Sequence, residues 1–137
     1  MPRKKISKKK ILMADDQLYL WEDVVAKLKE TYHVETAGSG NEAYDMLSRH
    51  YAGRCDKIDL LILDGSMPPG PDGDRLAQIA VCTDPTINVI IYTGRPELYR
   101  HAESEKIKII SKNDNEGLPT DKELISYVNQ LLQGNEG

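Results

Sequence analysis

Residues 60–68 read Leu60-Leu61-Ile62-Leu63-Asp64-Gly65-Ser66-Met67-Pro68, four bulky apolar side chains, then a carboxylate, then a turn. A short, unbroken apolar run bounded by turn residues predicts a strand buried on both faces, as in a parallel sheet covered by helices. Four other short runs, several rich in β-branched residues, read likewise as buried strands: Ile11-Leu12-Met13-Ala14, Val34 to Ala37, Val89-Ile90-Ile91-Tyr92, and Ile107 to Ile110.

Between the runs, the apolar spacing changes to that of helices. Trp21, Val24, Val25 and Leu28 recur at i, i+3, i+4 and i+7, and Ala43, Met46, Leu47 and His50 repeat the pattern. Leu76, Ile79, Ala80 and Thr83 form a weaker stripe, and Leu124, Ile125, Val128, Leu131 and Leu132 form the clearest. Trp21 and Tyr44 lie on or beside these stripes and read as packing residues. Ser39-Gly40-Asn41-Glu42 and Thr120-Asp121-Lys122-Glu123 fit the capping box that starts a helix. Pro96 suits a first helical position, so a fourth helix is expected over about Pro96 to Glu105, although only Leu98 and Ala102 mark it. Strand and helix thus alternate five times. This pattern predicts an α/β fold, a five-stranded parallel doubly wound sheet with helices on both faces and right-handed crossovers.

Composition bounds the rest. A chain of 137 residues forms one domain. No apolar run approaches the roughly 20 residues that span a bilayer, and only four uncharged residues, Ile11 to Ala14, follow the basic start. Neither membrane insertion nor secretion is expected, and the expected compartment is the cytoplasm. Cys55 and Cys82 lack metal or redox spacing and read as free thiols packed in or near helices. His33, His50 and His101 are scattered and suggest no chemistry. The net charge is −4, yet residues 1–10 hold six basic side chains and no acidic ones. From Ile11 onward, 12 basic residues face 22 acidic ones, a balance of −10. Residues 1–9 therefore read as a basic flexible leader, 10–133 as the domain and 134–137 as a tail. Specific nucleic-acid binding is not expected, because the acidic body repels it.

An open parallel sheet binds ligands at the carboxyl ends of its strands. Asp15 and Asp16 follow the first run, Asp64 the third, Thr93 the fourth and Lys112 the fifth. Five polar residues from four strands thus fall on one edge. Two carboxylates about 4 Å apart repel by about 4 kcal/mol at an effective dielectric of 20, so three together call for a cation. A hard divalent ion with oxygen ligands, magnesium above all, meets that need beside a phosphate. Lys112 adds positive charge and Thr93 a hydroxyl donor, leaving one carboxylate to act as nucleophile toward a phosphoryl group.

With these residues in place, the chain resembles the response-regulator receiver family. The matching strings are I-L-M-A-D-D-Q (11–17), L-L-I-L-D-G-S-M-P (60–68) with D-G at 72–73, V-I-I-Y-T-G (89–94) and I-I-S-K (109–112), spanning about residues 10 to 133. The resemblance implies a flavodoxin-like sheet of strand order 2-1-3-4-5, with Asp64 as the phosphoacceptor. It implies that Asp16, Asp64 and the Ser66 carbonyl bind Mg2+ (Mn2+ being the alternative), with Asp15 acting mostly through water. Thr93 and Lys112 would contact the phosphoryl oxygens, and Gly94 would keep the approach open. The phosphodonor would be a histidine kinase or histidine phosphotransfer protein, and the output a changed affinity for a downstream protein.

Three departures from that family stand out. The loop M-P-P-G-P-D-G (67–73) is one residue longer than usual between methionine-proline and aspartate-glycine, and stiffened by extra prolines. Ile109 occupies the readout position where many members carry an inward-turning aromatic ring. Asn113 replaces the proline that commonly follows the lysine, so the Lys112–Asn113 bond is expected to be trans. No output domain follows residue 137, which suits a stand-alone receiver or an excised one. Two rival readings are a receiver fold that binds partners without phosphorylation, and a haloacid-dehalogenase-like phosphatase. The phosphatase would need an aspartate where Ser66 stands.

Overall fold

The computed structural model describes residues 8–53 and 57–133. Cys55, most of the basic leader and the tail at 134–137 lie outside the described residues. Five strands form one parallel sheet: β1 (Lys10–Ala14), β2 (His33–Ala37), β3 (Leu60–Leu63), β4 (Asn88–Thr93) and β5 (Ile107–Ser111), in the order β2-β1-β3-β4-β5. The helices are α1 (Glu22–Lys29), α2 (Gly40–Gly53), α3 (Gly73–Thr83) and α4 (Asp121–Gln133).

Alternation along each strand divides the core in two. Leu12, Leu61, Leu63, Val89, Ile91, Ile107 and Ile109 face one side, where Ala43 and Leu47 of α2 and Leu76, Ala77 and Ala80 of α3 cover them. Ile11, Met13, Leu60, Ile62, Ile90 and Tyr92 face the other, under Val24 and Leu28 of α1 and Leu124 and Val128 of α4. Successive side chains on a strand point to opposite faces, so a continuous apolar run is what two covered faces require. Each fully buried Leu or Ile contributes about 1.5–3 kcal/mol.

The expected fourth helix is not α-helical. Between β4 and β5 run two short 3-10 turns, Pro96–Leu98 and Arg100–Ala102. The segment lacks an apolar stripe to bury: Leu98 is half exposed, and only Tyr99 and Ala102 reach the core. Without tertiary packing along one face, a short helix gains too little to form. Two packing expectations also fail, since Tyr44 and Cys82 are exposed on α2 and α3.

Other local expectations hold with adjustments. The Glu42 N–H donates to Ser39 Oγ at 3.1 Å, while the Glu42 carboxylate accepts from Gly38 N–H at 2.6 Å, one residue before the usual capping-box partner. Thr120 donates its hydroxyl to the Ser111 carbonyl at 2.5 Å, which ties the start of α4 to the end of β5. The long proline loop docks on α2: Gly40 N–H donates to the Met67 carbonyl at 2.7 Å and Asn41 N–H to the Pro69 carbonyl at 2.9 Å. Among the described residues the one cis peptide bond joins Pro68 and Pro69, and Lys112–Asn113 is trans.

A candidate phosphoacceptor and metal site at the carboxyl edge of the sheet

Strand pairing carries the acidic residues to one edge. Ala14 pairs with Leu63 and with Ala37, and beyond this rung Asp64 N–H donates to the Ala14 carbonyl and Asp15 N–H to the Ala37 carbonyl. The ladder thus runs one residue past β1 and β3, which sets Asp15 and Asp64 side by side. Asp15, Asp16 and Asp64 offer carboxylate oxygens that all lie within 4.8 Å of one another.

Lys112 joins them from the end of β5. Its backbone N–H is held by the Thr93 carbonyl at 2.8 Å. Its ammonium lies 2.8 Å from Asp15 Oδ2 and 3.2 Å from Asp64 Oδ1. Asp15 is 2% exposed and accepts Gln17 N–H on its other oxygen at 2.8 Å, so it opens the following turn as well as facing the site. Asp16 is exposed at the mouth.

Burial pushes the Asp64 carboxyl up to about 6, and the Asp15 charge adds to that; Lys112 and the Gly65 N–H work in the opposite direction. Three carboxylates against one ammonium leave two negative charges when all are ionised. The donor set is all oxygen and the residual charge is that of a divalent cation, so these side chains fit a hard ion such as Mg2+.

The remaining expected residues make none of the hydrogen bonds or ion pairs that hold the carboxylates. Thr93 is buried at the end of β4, and its Oγ accepts the Arg95 N–H at 3.0 Å. Gly94 is exposed, and a Cβ there would meet nothing within 4 Å. Ser66 is exposed in the loop after Asp64. Ile109 is 4% exposed and packed in the core on the α3 side. At Asp72-Gly73, a Cβ on Gly73 would lie 2.3 Å from the Asp64 carbonyl oxygen. Only glycine lets α3 begin so close to the loop that follows Asp64.

Tyr99 and Trp21 are the residues that sequence reasoning missed. A Cβ on Gly65 would come within 2.4 Å of the Tyr99 ring, so the hydroxyl end of that ring lies against the backbone next to Asp64. Burial raises the Tyr99 phenol, followed by the negative charges of Asp72, Asp74 and Asp64. No motif marks Tyr99; the signal was a lone aromatic in a segment with almost no other apolar residue. Trp21, expected to be a packing residue, stands against Lys112. The three histidines pair with carboxylates: His33 and His50 with Glu35 at 3.5 Å each, and His101 with Asp74 at 2.8 Å.

No protein-family model and no curated protein sequence matches the chain. Solved structures do. The chain is similar to a response regulator receiver protein from Sinorhizobium medicae WSM419, at a TM-score of 0.76 and 26% identity over 95% of this chain and 98% of that one. It is similar to response regulator TrrA from Thermotoga maritima, determined in complex with Mg2+ and BeF, at 0.66 and 28% over 90% and 99%. The receiver domain of the hybrid histidine kinase CckA matches at 0.68 and 26% over 90% and 99%. Among the described residues no helix is long and apolar enough to cross a membrane.

Proposed function

We propose, from the premise that this chain is a response-regulator receiver domain, that it works as a phosphorylation switch with Asp64 as the phosphoacceptor. The observation that supports this most is the meeting of Asp15, Asp16 and Asp64 within 4.8 Å, with the Lys112 ammonium on two of them.

An Asp64 carboxylate oxygen attacks phosphorus, a P–O bond forms, and the P–N bond to the donor histidine of a kinase or phosphotransfer protein breaks. The imidazole leaves with the bonding pair. Hydrolysis reverses the state: water attacks phosphorus, and inorganic phosphate departs from a restored carboxylate. Asp16, Asp64 and the Ser66 carbonyl would hold Mg2+ (Mn2+ being the alternative), with Asp15 acting through water. The bound ion supplies charge neutralisation for the transferring phosphoryl group.

The residues of this chain do the rest. Attack needs Asp64 ionised, and with its carboxyl raised to about 6, both Lys112 and the Gly65 N–H help hold it so at neutral pH. Lys112 moves from its carboxylates to a phosphoryl oxygen, and Thr93 donates its hydroxyl to another. Gly94 leaves the approach clear of side-chain atoms. The protein would not turn over a separate metabolite, and its output would be altered affinity for a downstream protein. A soluble domain of this kind fits the cytoplasm, where histidine kinases present their donor groups.

The direct test is intact-mass spectrometry after incubation with a small acyl phosphate and Mg2+. The wild type should gain one phosphoryl group, and Asp64→Asn and metal-free samples should gain none. An unmodified wild type would favour the receiver fold as a phosphorylation-independent binding module. Turnover of a generic phosphate ester would favour the phosphatase reading, which Ser66 in place of a second aspartate opposes.

A further inference from the structure

Lys112 has an aromatic side as well as an acidic one. Trp21 ends the 3-10 turn Leu18–Trp21 that follows Asp15 and Asp16. Its ring centroid lies 5.0 Å from the Lys112 ammonium, and that of Tyr92 lies 5.9 Å from it. The two rings meet edge to face at 5.3 Å with 64° between their planes. Two carboxylates and two aromatic rings therefore enclose an ammonium whose side chain is only 13% exposed.

Packing alone explains this corner poorly. The Trp21 Nε1 is buried and finds no hydrogen-bond partner, which costs the desolvation of a donor. A leucine or phenylalanine would fill an apolar position without that cost. What the indole offers beyond apolar area is the strongest π face among side chains, and a cation lies within its range. A lysine head on four rotatable bonds also needs walls to hold it in one place, since its ammonium sets no fixed angle to its partners.

We propose that Trp21 is a positioning residue for Lys112. Its π face holds the ammonium against Asp15 and Asp64 before transfer and keeps it within reach of the phosphoryl oxygens afterwards. This rests on Asp64 being the phosphoacceptor. Trp21 touches no reacting atom; the indole supplies direction to a charge. Tyr92 backs the indole, and the Tyr92 hydroxyl lies 3.3 Å from the Thr120 hydroxyl, which ties the aromatic corner to the start of α4.

Two measurements test the inference. In the first, the phosphorylation rate by a small acyl phosphate with Mg2+ is compared among wild type, Trp21→Leu and Trp21→Phe, beside their melting temperatures. Leucine should slow the reaction roughly fivefold or more, the scale of one lost cation–π contact, and phenylalanine should restore most of the rate. Equal rates for leucine and wild type would overturn the proposal, as would rates that simply follow stability. The second needs no phosphodonor. Trp21 is the chain's sole tryptophan, so its emission reports on this corner without labels. In metal-free protein, Lys112→Met should move the emission maximum, and an unchanged spectrum would overturn the contact. If the wild type takes no phosphoryl group, the assignment of Asp64 fails, and the emission comparison alone decides whether Trp21 holds Lys112.

Discussion

Replacing Asp64 with asparagine should stabilise the metal-free protein, although it removes the residue on which the proposed chemistry depends. Burial and the Asp15 charge raise the carboxyl from 3.8 to about 6. At neutral pH, where the group is ionised in both states, that rise corresponds to about 3 kcal/mol of lost stability. The amide removes the charge and keeps the shape, but it weakens the 3.2 Å contact to Lys112, which retains Asp15 at 2.8 Å. A net gain of about 1–3 kcal/mol is expected, several degrees in melting temperature for a chain of this size. The sign with pH comes from the raised folded value. The contribution of Asp64 is fully favourable below 3.8 and is lost as pH rises through about 6. The gap between variant and wild type should therefore be full at pH 7.5 and about half as large at pH 5. Urea unfolding with a chelator at both pH values measures it. An asparagine variant less stable than wild type at pH 7.5, or a gap indifferent to pH, would refute the crowding of charge at this site.

Three further outcomes are expected. Asp16→Ala removes a charged ligand and should weaken Mg2+ binding at least tenfold, the scale of about 1.4 kcal/mol, in a calorimetric titration; unchanged affinity would remove Asp16 from the metal site. Ile109→Ala leaves a cavity in the core and should cost about 2–5 kcal/mol in denaturant unfolding. The folded fraction should still accept the phosphoryl group at a near wild-type rate, since Ile109 is an apolar core residue that offers no group to the chemistry. Gly65→Ala should cost about 1–3 kcal/mol by driving a methyl group into the Tyr99 ring. The same change in a Tyr99→Ala background should cost much less, and a double-mutant cycle showing no coupling would mean the ring yields freely.

Strands buried on both faces announce themselves as unbroken apolar runs, as β1, β3 and β4 do, whereas β2 and β5, at the sheet edges, carry polar residues and exposed positions. The carboxylates and Lys112 were legible because each comes within two residues of the end of a run, and parallel pairing brings the residues just past every run to the same edge. The region between β4 and β5 was misread for the complementary reason. Pro96 signals a helix start, but a start signal does not supply the buried stripe that sustains a helix, and here only Tyr99 and Ala102 point inward. The roles of Tyr99 and Trp21 depend on contacts across 34 and 91 positions of chain, to Gly65 and Lys112. No local pattern encodes such distances. Cys82 and Tyr44 show the reverse limit, since residue types that favour interiors also occur on surfaces.

The seat of Tyr99 on Gly65 gives the stretch from Gly94 to Lys106 a mechanical character of its own. An α-helix in that place would resist displacement along its whole hydrogen-bond ladder and would move as a rod. Two 3-10 turns of three residues each offer no such ladder, so the stretch is moored at separate points, the Tyr99 ring, Ala102 in the core and His101 on Asp74. A shift of the backbone after Asp64 would press on that ring as well as on the starts of α2 and α3. The stretch is thus held at points rather than along a helical ladder. Its exposed residues Arg95, Glu97, Leu98 and Arg100 are free to suit a partner without having to sustain a helix.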